Sequence, residues 1–319
     1  MTSPAVHPKP GTTNGPLVML SSGWTDGCCV ARLRAPGRPS SLVPMVGLEL
    51  RYRVAEPPIR HCVGHHAPSR GDGYRDCDNP PQPTERTCVS CAVADATFAA
   101  SLHHAHTRDR DQLDRDVVEH LEQANNLYLA AFRDGSIKVG TSTGRRRDTR
   151  LTEQGAWQAV SVAEVPDGFA VRRLEDLVTD KLGLPQSVAV KRKVAGMASP
   201  MAEAALTERL DRLVDEVHSL ISLSPDADGA TTTRTYWSFP EADSPGWDGL
   251  VPYPSRLDVG AHHVRVAAVC GRVAVLVRPD GDGSDGPDRF VADIGRLYGI
   301  ELDLGDHTPD ALAIQDSLF

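Results

Sequence analysis

The chain reads as an α+β protein built from more than one unit, and three patterns in the sequence say so. Two apolar runs, Asn126–Phe132 and Ile137–Ser142, are joined by Arg133-Asp134-Gly135-Ser136. A stretch rich in Cys and Pro runs from Cys62 to Cys91, and two Val-rich runs, Val264–Cys270 and Val273–Val277, meet at Gly271-Arg272. At 319 residues the chain exceeds the usual single-domain size. The expected division is a disordered lead-in over 1–15, a small β sheet with a cysteine segment over 16–108, a central module over 109–195, and a long helix with an acidic β-rich unit over 196–319. The central module should hold a three-stranded antiparallel sheet with flanking helices.

The elements follow in order. Residues 1–15 carry Pro, Gly, Ser and Thr without periodicity, which gives them nothing to bury. From Leu17 to Val54, short apolar runs alternate with Gly and Pro, the pattern of a small antiparallel sheet. Cys28 and Cys29 fall inside it, and adjacent strand residues point to opposite faces, so they read as packing residues. His103, His104 and His106 suggest either a second metal site or, the favoured reading, a polar lead into a helix over 109–124, where Leu113, Val117, Val118 and Leu121 share one face. The two apolar runs around Asp134-Gly135 form a β-hairpin, because Gly supplies positive φ without a Cβ clash. Residues 145–154 make a helix that Gly155 closes, 157–165 a third strand, and 169–182 a second helix striped by Val171, Leu174, Leu177 and Val178. Lys191-Arg192-Lys193 reads as surface decoration. A long amphipathic helix over 201–223 and the hairpin around Gly271-Arg272 complete the chain. The Asp280–Asp288 run lacks the bidentate Glu of a calcium loop and reads as a solvated acidic loop.

Seven cysteines, an odd number, argue against a disulfide framework. Cys62, Cys77, and the C-x2-C pair Cys88 and Cys91 are spaced like metal ligands, in a segment with too little apolar material to hold its shape by burial. Four thiolates suit a structural Zn²⁺, with His61, His65 or His66 able to replace one of them; the alternative is a set of reduced thiols in a loop.

At Tyr128, Gly140, Arg150 and Glu175 the sequence resembles the GIY-YIG nuclease superfamily, in which a first-strand tyrosine, a glycine after the second strand, a helix arginine and a later glutamate form the site. It is still more similar to a microbial family of unknown function that joins a cysteine cluster to such a module. The shared wording there is Leu-Tyr-Leu-Ala, Lys-Val-Gly-Thr and Glu-Gln-Gly-Ala. Asn126 and Leu127 stand where the first motif has Gly and Ile, and Lys138 replaces the second motif's tyrosine. The step from Lys138 to Arg150 is also longer than usual, which makes Arg147 a rival for the arginine role. The resemblance implies Tyr128 activating water, Arg150 stabilising the phosphate with Lys138 as an added contact, and Glu175 holding Mg²⁺ or Mn²⁺. Gly140, Thr141 and Arg147 would line the substrate. A tyrosine is a poor base at its ordinary pKa, so a neighbouring cation would have to lower it, and Lys138 on the partner strand is the candidate.

The net charge of −9 is unevenly spread: +2 over 1–100, −3 over 101–132, +4 over 133–193 and −12 over 194–319. A local positive field in the module suits a phosphate-bearing ligand, DNA or RNA among them. An aromatic content of only 5% leaves few stacking platforms for an extended nucleic-acid groove. Three function classes stay open: a metal-dependent nuclease, a nucleic-acid-binding or regulatory protein that kept the fold without the reaction, and an enzyme acting on a small substrate. No apolar run reaches membrane-spanning length, and the N-terminus shows no basic-then-apolar leader, so a soluble cytoplasmic protein is expected.

Overall fold

The computed structural model describes residues 15–67, 73–103, 105–107, 110–113, 115–224, 227, 229–243, 246–279 and 289–311. The lead-in, His104 and the 280–288 loop thus fall outside the described residues, apart from Gly15. The chain is α+β. It opens with strands β1 (Gly15–Thr25), β2 (Cys28–Arg34), β3 (Ser41–Pro44) and β4 (Glu49–Val54). Asp26 and Gly27, both at positive φ, turn β1 into β2 as a two-residue hairpin loop. Cys28 is exposed and Cys29 buried, as alternation requires.

The cysteine segment adds two short strands, β5 (His65–His66) and β6 (Tyr74–Arg75), and helix α1 (Val89–His103). A single-turn 3-10 segment and helix α2 (Arg115–Leu121) occupy the stretch expected as one longer helix. Next come β7 (Asn125–Ala131), β8 (Ile137–Thr143), α3 (Arg147–Gln154), β9 (Gln158–Val165), α4 (Gly168–Leu182), α5 (Val190–Ala198) and α6 (Glu203–Leu223). Strands β10 (Thr231–Ser238), β11 (Val251–Pro252), β12 (Gly260–Cys270), β13 (Val273–Val277), β14 (Arg289–Asp293) and β15 (Glu301–Leu304) follow.

Two departures from the expected division stand out. The N-terminal and C-terminal β segments form one nine-stranded sheet, in the order β11-β14-β13-β12-β4-β15-β1-β2-β3. Taken alone, β1 and β4 would each leave an open row of backbone groups, and β15 and β12 fill them. The module sheet has four strands, not three, in the order β10-β9-β7-β8. The added strand β10 pairs antiparallel with β9, and α6 packs on β7, β9, β10 and α4, so the long helix belongs with this sheet.

The strands of the module explain its two faces. On one face Leu127, Leu129, Val139 and Val160 meet Leu174 of α4 and Leu210 and Val217 of α6. On the other, Tyr128, Ala130 and Phe132 meet Leu151 of α3. The two sheets abut through Trp157, Phe239 and Trp247, whose rings lie 5.6 to 5.7 Å apart, and through Cys270 and Val273. Among the described residues no helix is long and apolar enough to cross a membrane.

Candidate functional site

The β7–β8 hairpin sets Tyr128 directly opposite Gly140. A Cβ added at Gly140 would stand 2.6 Å from both Cζ and Oη of Tyr128, so only glycine lets the ring lie flat across the partner strand. The Tyr128 ring is 1% exposed, and its hydroxyl receives a hydrogen bond from Gln154 Nε2 at 3.0 Å, at the end of α3. Gly155 ends that helix at φ 69°, where the left-handed conformation closes the last turn.

Lys138 stands two residues before Gly140 on the same face, opposite Ala130. It is 7% exposed, its Nζ lies 5.8 Å from the Tyr128 ring centroid, and it donates to the Gln186 carbonyl at 3.0 Å. Helix α4 begins with the Asp167 carboxylate capping Ala170 N and runs past the β8 edge. Glu175 on this helix is buried and pairs with Arg172 at 2.5 Å.

Tyr128 and Lys138 thus lie side by side, within the electrostatic reach of Arg150 and Glu175. The charges of Arg150 and Glu175 act on both Tyr128 and Lys138. Burial pushes the Tyr128 phenol up, and the opposing pull of Arg150 and the Gln154 bond does not reverse it. The lowering expected of a base is therefore absent: Tyr128 is a neutral phenol at pH 7. Lys138 moves the other way, since burial and the repulsion of Arg150 bring it down to about 8.

Two expected residues do not join them. Arg147 pairs with its neighbour Asp148 at 2.9 Å, whereas Arg150 acts on Tyr128. Thr141 lies opposite Leu127, on the face away from Tyr128. Three members escaped sequence reasoning. Arg172 neutralises Glu175, Gln154 holds the phenol, and Lys193 of α5, taken for surface decoration, donates to the Gln154 carbonyl at 2.6 Å. Burial lowers Lys193 to about 8, with Arg272 and Arg150 adding repulsion. The available signal was Gly196, three residues on, whose Cβ would meet the Asp134 amide at 2.3 Å: α5 must dock on the hairpin turn. Ser142, on the Tyr128 face of β8, keeps a buried hydroxyl with no hydrogen-bond partner among the described residues.

The second cluster is made of cysteines. Cys62, Cys77, Cys88 and Cys91 hold their sulfurs within 4.8 Å of one another. A tetrahedral ion bonded at ~2.3 Å needs sulfurs about 3.8 Å apart, so the donor set can close on a metal with small movements. Backbone amides of Gly64 and Cys88 point at the Cys62 sulfur, at 3.4 and 3.2 Å, and Cys91 N at that of Cys88, at 3.5 Å. Such donors suit thiolates, which carry charge into a buried place. His65 Nδ1 lies 3.2 Å from the Cys91 sulfur as an outer partner, whereas His61 turns away to Glu301 at 2.7 Å. Among the described residues, the four cysteines, without a histidine, are the group that could hold a metal ion.

The model of one protein family, described as "Protein of unknown function (DUF2797)", matches residues 70–246, a stretch that includes three of the four cysteines, the whole β7–β8 hairpin and α3 to α6. No curated protein and no solved structure matches the chain. With the match spanning more than half of its length, the chain belongs to the DUF2797 family.

Proposed function

We propose that the module is GIY-YIG-like and that the Tyr128 site binds the phosphodiester of a nucleic acid and hydrolyses it with the help of a divalent metal. The observation that carries this reading is the Lys138 ammonium 5.8 Å from the Tyr128 ring, in the field of Arg150 and Glu175, beside the close Tyr128–Gly140 pair. Arg150, Arg172 and Lys193 gather positive charge there against Glu175, a balance that favours a phosphate. The buried, unpartnered Ser142 hydroxyl offers it a further donor.

Mg²⁺ or Mn²⁺ commonly takes one or two protein carboxylates, several waters and substrate phosphate oxygens. One carboxylate already bonded to Arg172 fits such an ion when it arrives with the phosphate, not before. When bound, the ion supplies charge neutralisation and a more acidic water. The protein's own groups divide the remaining tasks. Arg150 and Arg172 orient the phosphoryl oxygens, and the neutral Tyr128 phenol, steered by Gln154, positions the water. Lys138, balanced near pH 8, accepts a proton. In the cysteine cluster, four thiolates and no open position favour a structural Zn²⁺.

A second reading, binding without cleavage, draws on the same geometry: Arg172 already occupies Glu175 and Gln154 already occupies the phenol. Labelled single- and double-stranded DNA and RNA, incubated in Mg²⁺ or Mn²⁺ with the protein and with Glu175→Gln, separate the two. Cleavage lost in the variant is the expected result. Cleavage that survives the substitution refutes the site, binding without cleavage selects the second reading, and neither binding nor cleavage rejects both in favour of a small substrate.

A further inference from the structure

We infer that Arg86 and Arg272, set against the Tyr298 ring, with Arg60 on the adjoining backbone, form a second anion site that takes a backbone phosphate of the same nucleic-acid strand. The inference rests on the phosphodiester reading of the Tyr128 site and extends it to a path for the strand. Tyr298 follows β14, and its hydroxyl pairs with that of Ser22 on β1. The guanidinium carbons of Arg86 and Arg272 lie 5.7 and 5.6 Å from its ring centroid. Arg60, bridged to Ile300 on the neighbouring backbone, acts on Arg86 as a third positive charge.

One carboxylate answers these three cations: Asp293, which receives two bonds at 3.0 Å from Arg272. Among the described residues Arg60 and Arg86 have no ion-pair partner, and Arg272 Nε is buried without a hydrogen-bond partner. Like charges held together without counter-ions repel one another, and a protein of net charge −9 has carboxylates to spare. Their absence from this spot is what points to an external anion. Forked guanidinium groups match phosphate oxygens.

The cysteine cluster and the module fix this site relative to Tyr128. The Arg86 carbonyl accepts from Val63 N at 2.9 Å, inside the loop that supplies Cys62 and Cys88. At the other end, a Cβ on Gly155 would stand 2.9 Å from the Cys270 carbonyl, so the end of α3 sits on the turn that carries Arg272. Lys193, bonded to Gln154 beside Tyr128, shares its field with both Arg150 and Arg272. The field of Lys138 and Arg150 thus joins that of Lys193, which joins that of Arg272, and Arg272 in turn acts on Arg86 with Arg60. The guanidinium groups lie against the Tyr298 ring, so bases gain no stacking platform there and the contact is with the backbone, independent of sequence.

The test is fluorescence anisotropy of labelled single-stranded DNA and RNA oligonucleotides, without divalent metal, against the full chain and its Arg60→Gln/Arg86→Gln and Arg60→Lys/Arg86→Lys forms. Matching melting curves and metal content establish that the variants fold. The Gln form should bind on the order of tenfold more weakly at 0.1 M salt, with the slope of log K against log salt shallower by about 1.4, and the Lys form should restore the slope. The DNA and RNA arms identify which strand is the ligand. Wild-type binding with an unchanged slope in the Gln form overturns this site and leaves the Tyr128 reading standing. Binding that depends on both arginines, without any cleavage in added metal, upholds the site and removes the hydrolase reading. A folded wild-type protein that binds neither strand overturns both.

Discussion

Replacing Lys138 by methionine should make the protein more stable while disabling its site. The ammonium is 7% exposed and titrates at about 8 where a free lysine titrates at 10.5. At 1.36 kcal/mol per pKa unit, holding it charged costs the native state about 3 kcal/mol at pH 7. Methionine keeps the aliphatic stem and removes that cost, but it forfeits the 3.0 Å bond to Gln186, which is worth about 1 kcal/mol. The net expectation is a gain of about 2 kcal/mol in urea unfolding at pH 7. The pH dependence has a definite sign. Between about 8 and 10.5 the unfolded chain holds the Lys138 proton and the folded chain does not, so wild-type stability rises with pH across that window. The advantage of Lys138→Met should shrink over the same window and vanish by its upper end. Urea melts of both proteins at pH 7 and pH 10 measure this directly. A variant less stable at pH 7, or a difference that stays constant with pH, refutes the view of Lys138 as a buried, uncompensated cation.

Other expectations follow from the same geometry. Gly140→Ala sets a methyl 2.6 Å from the Tyr128 ring and should cost about 1–3 kcal/mol, with an altered near-UV tyrosine signal. Tyr128→Phe removes the Gln154 bond, costs about 1 kcal/mol in stability, and should lower phosphodiester cleavage on the order of a hundredfold if the phenol positions water. Cleavage should rise with pH through about 8 as Lys138 loses its proton, and a fall over that range would mark the lysine as a phosphate contact instead. Cys91→Ala should abolish stoichiometric zinc in freshly isolated, reduced protein and loosen the start of α1, read by metal analysis and circular dichroism.

What the sequence made legible was local. Asp134-Gly135 between two apolar runs dictates a hairpin whatever surrounds it, and that hairpin alone pairs Tyr128 with Gly140. The C-x2-C at Cys88 and Cys91 likewise marks its own chemistry. Less was visible where partners are distant in the chain. Strand β10 reads as a mostly exposed threonine-rich run, and nothing in it specifies β9 as its neighbour. Lys193 looked like solvent-facing charge because three basic residues in a row mask the one that turns inward. Arg172 was hidden for a similar reason: it carries no motif, and its meaning lies three residues further on, at Glu175.

The position of β15 has a bearing on how the protein is made. It lies between β1 and β4, so these two strands wait for the later-made β15 before either gains its neighbour there. The central module can close early from its own hairpin, while β1 and β4 carry open edges until β15 is made. A nascent chain halted before Glu301 would expose two ready templates for misassembly, which makes β15 the latch of the nine-stranded sheet.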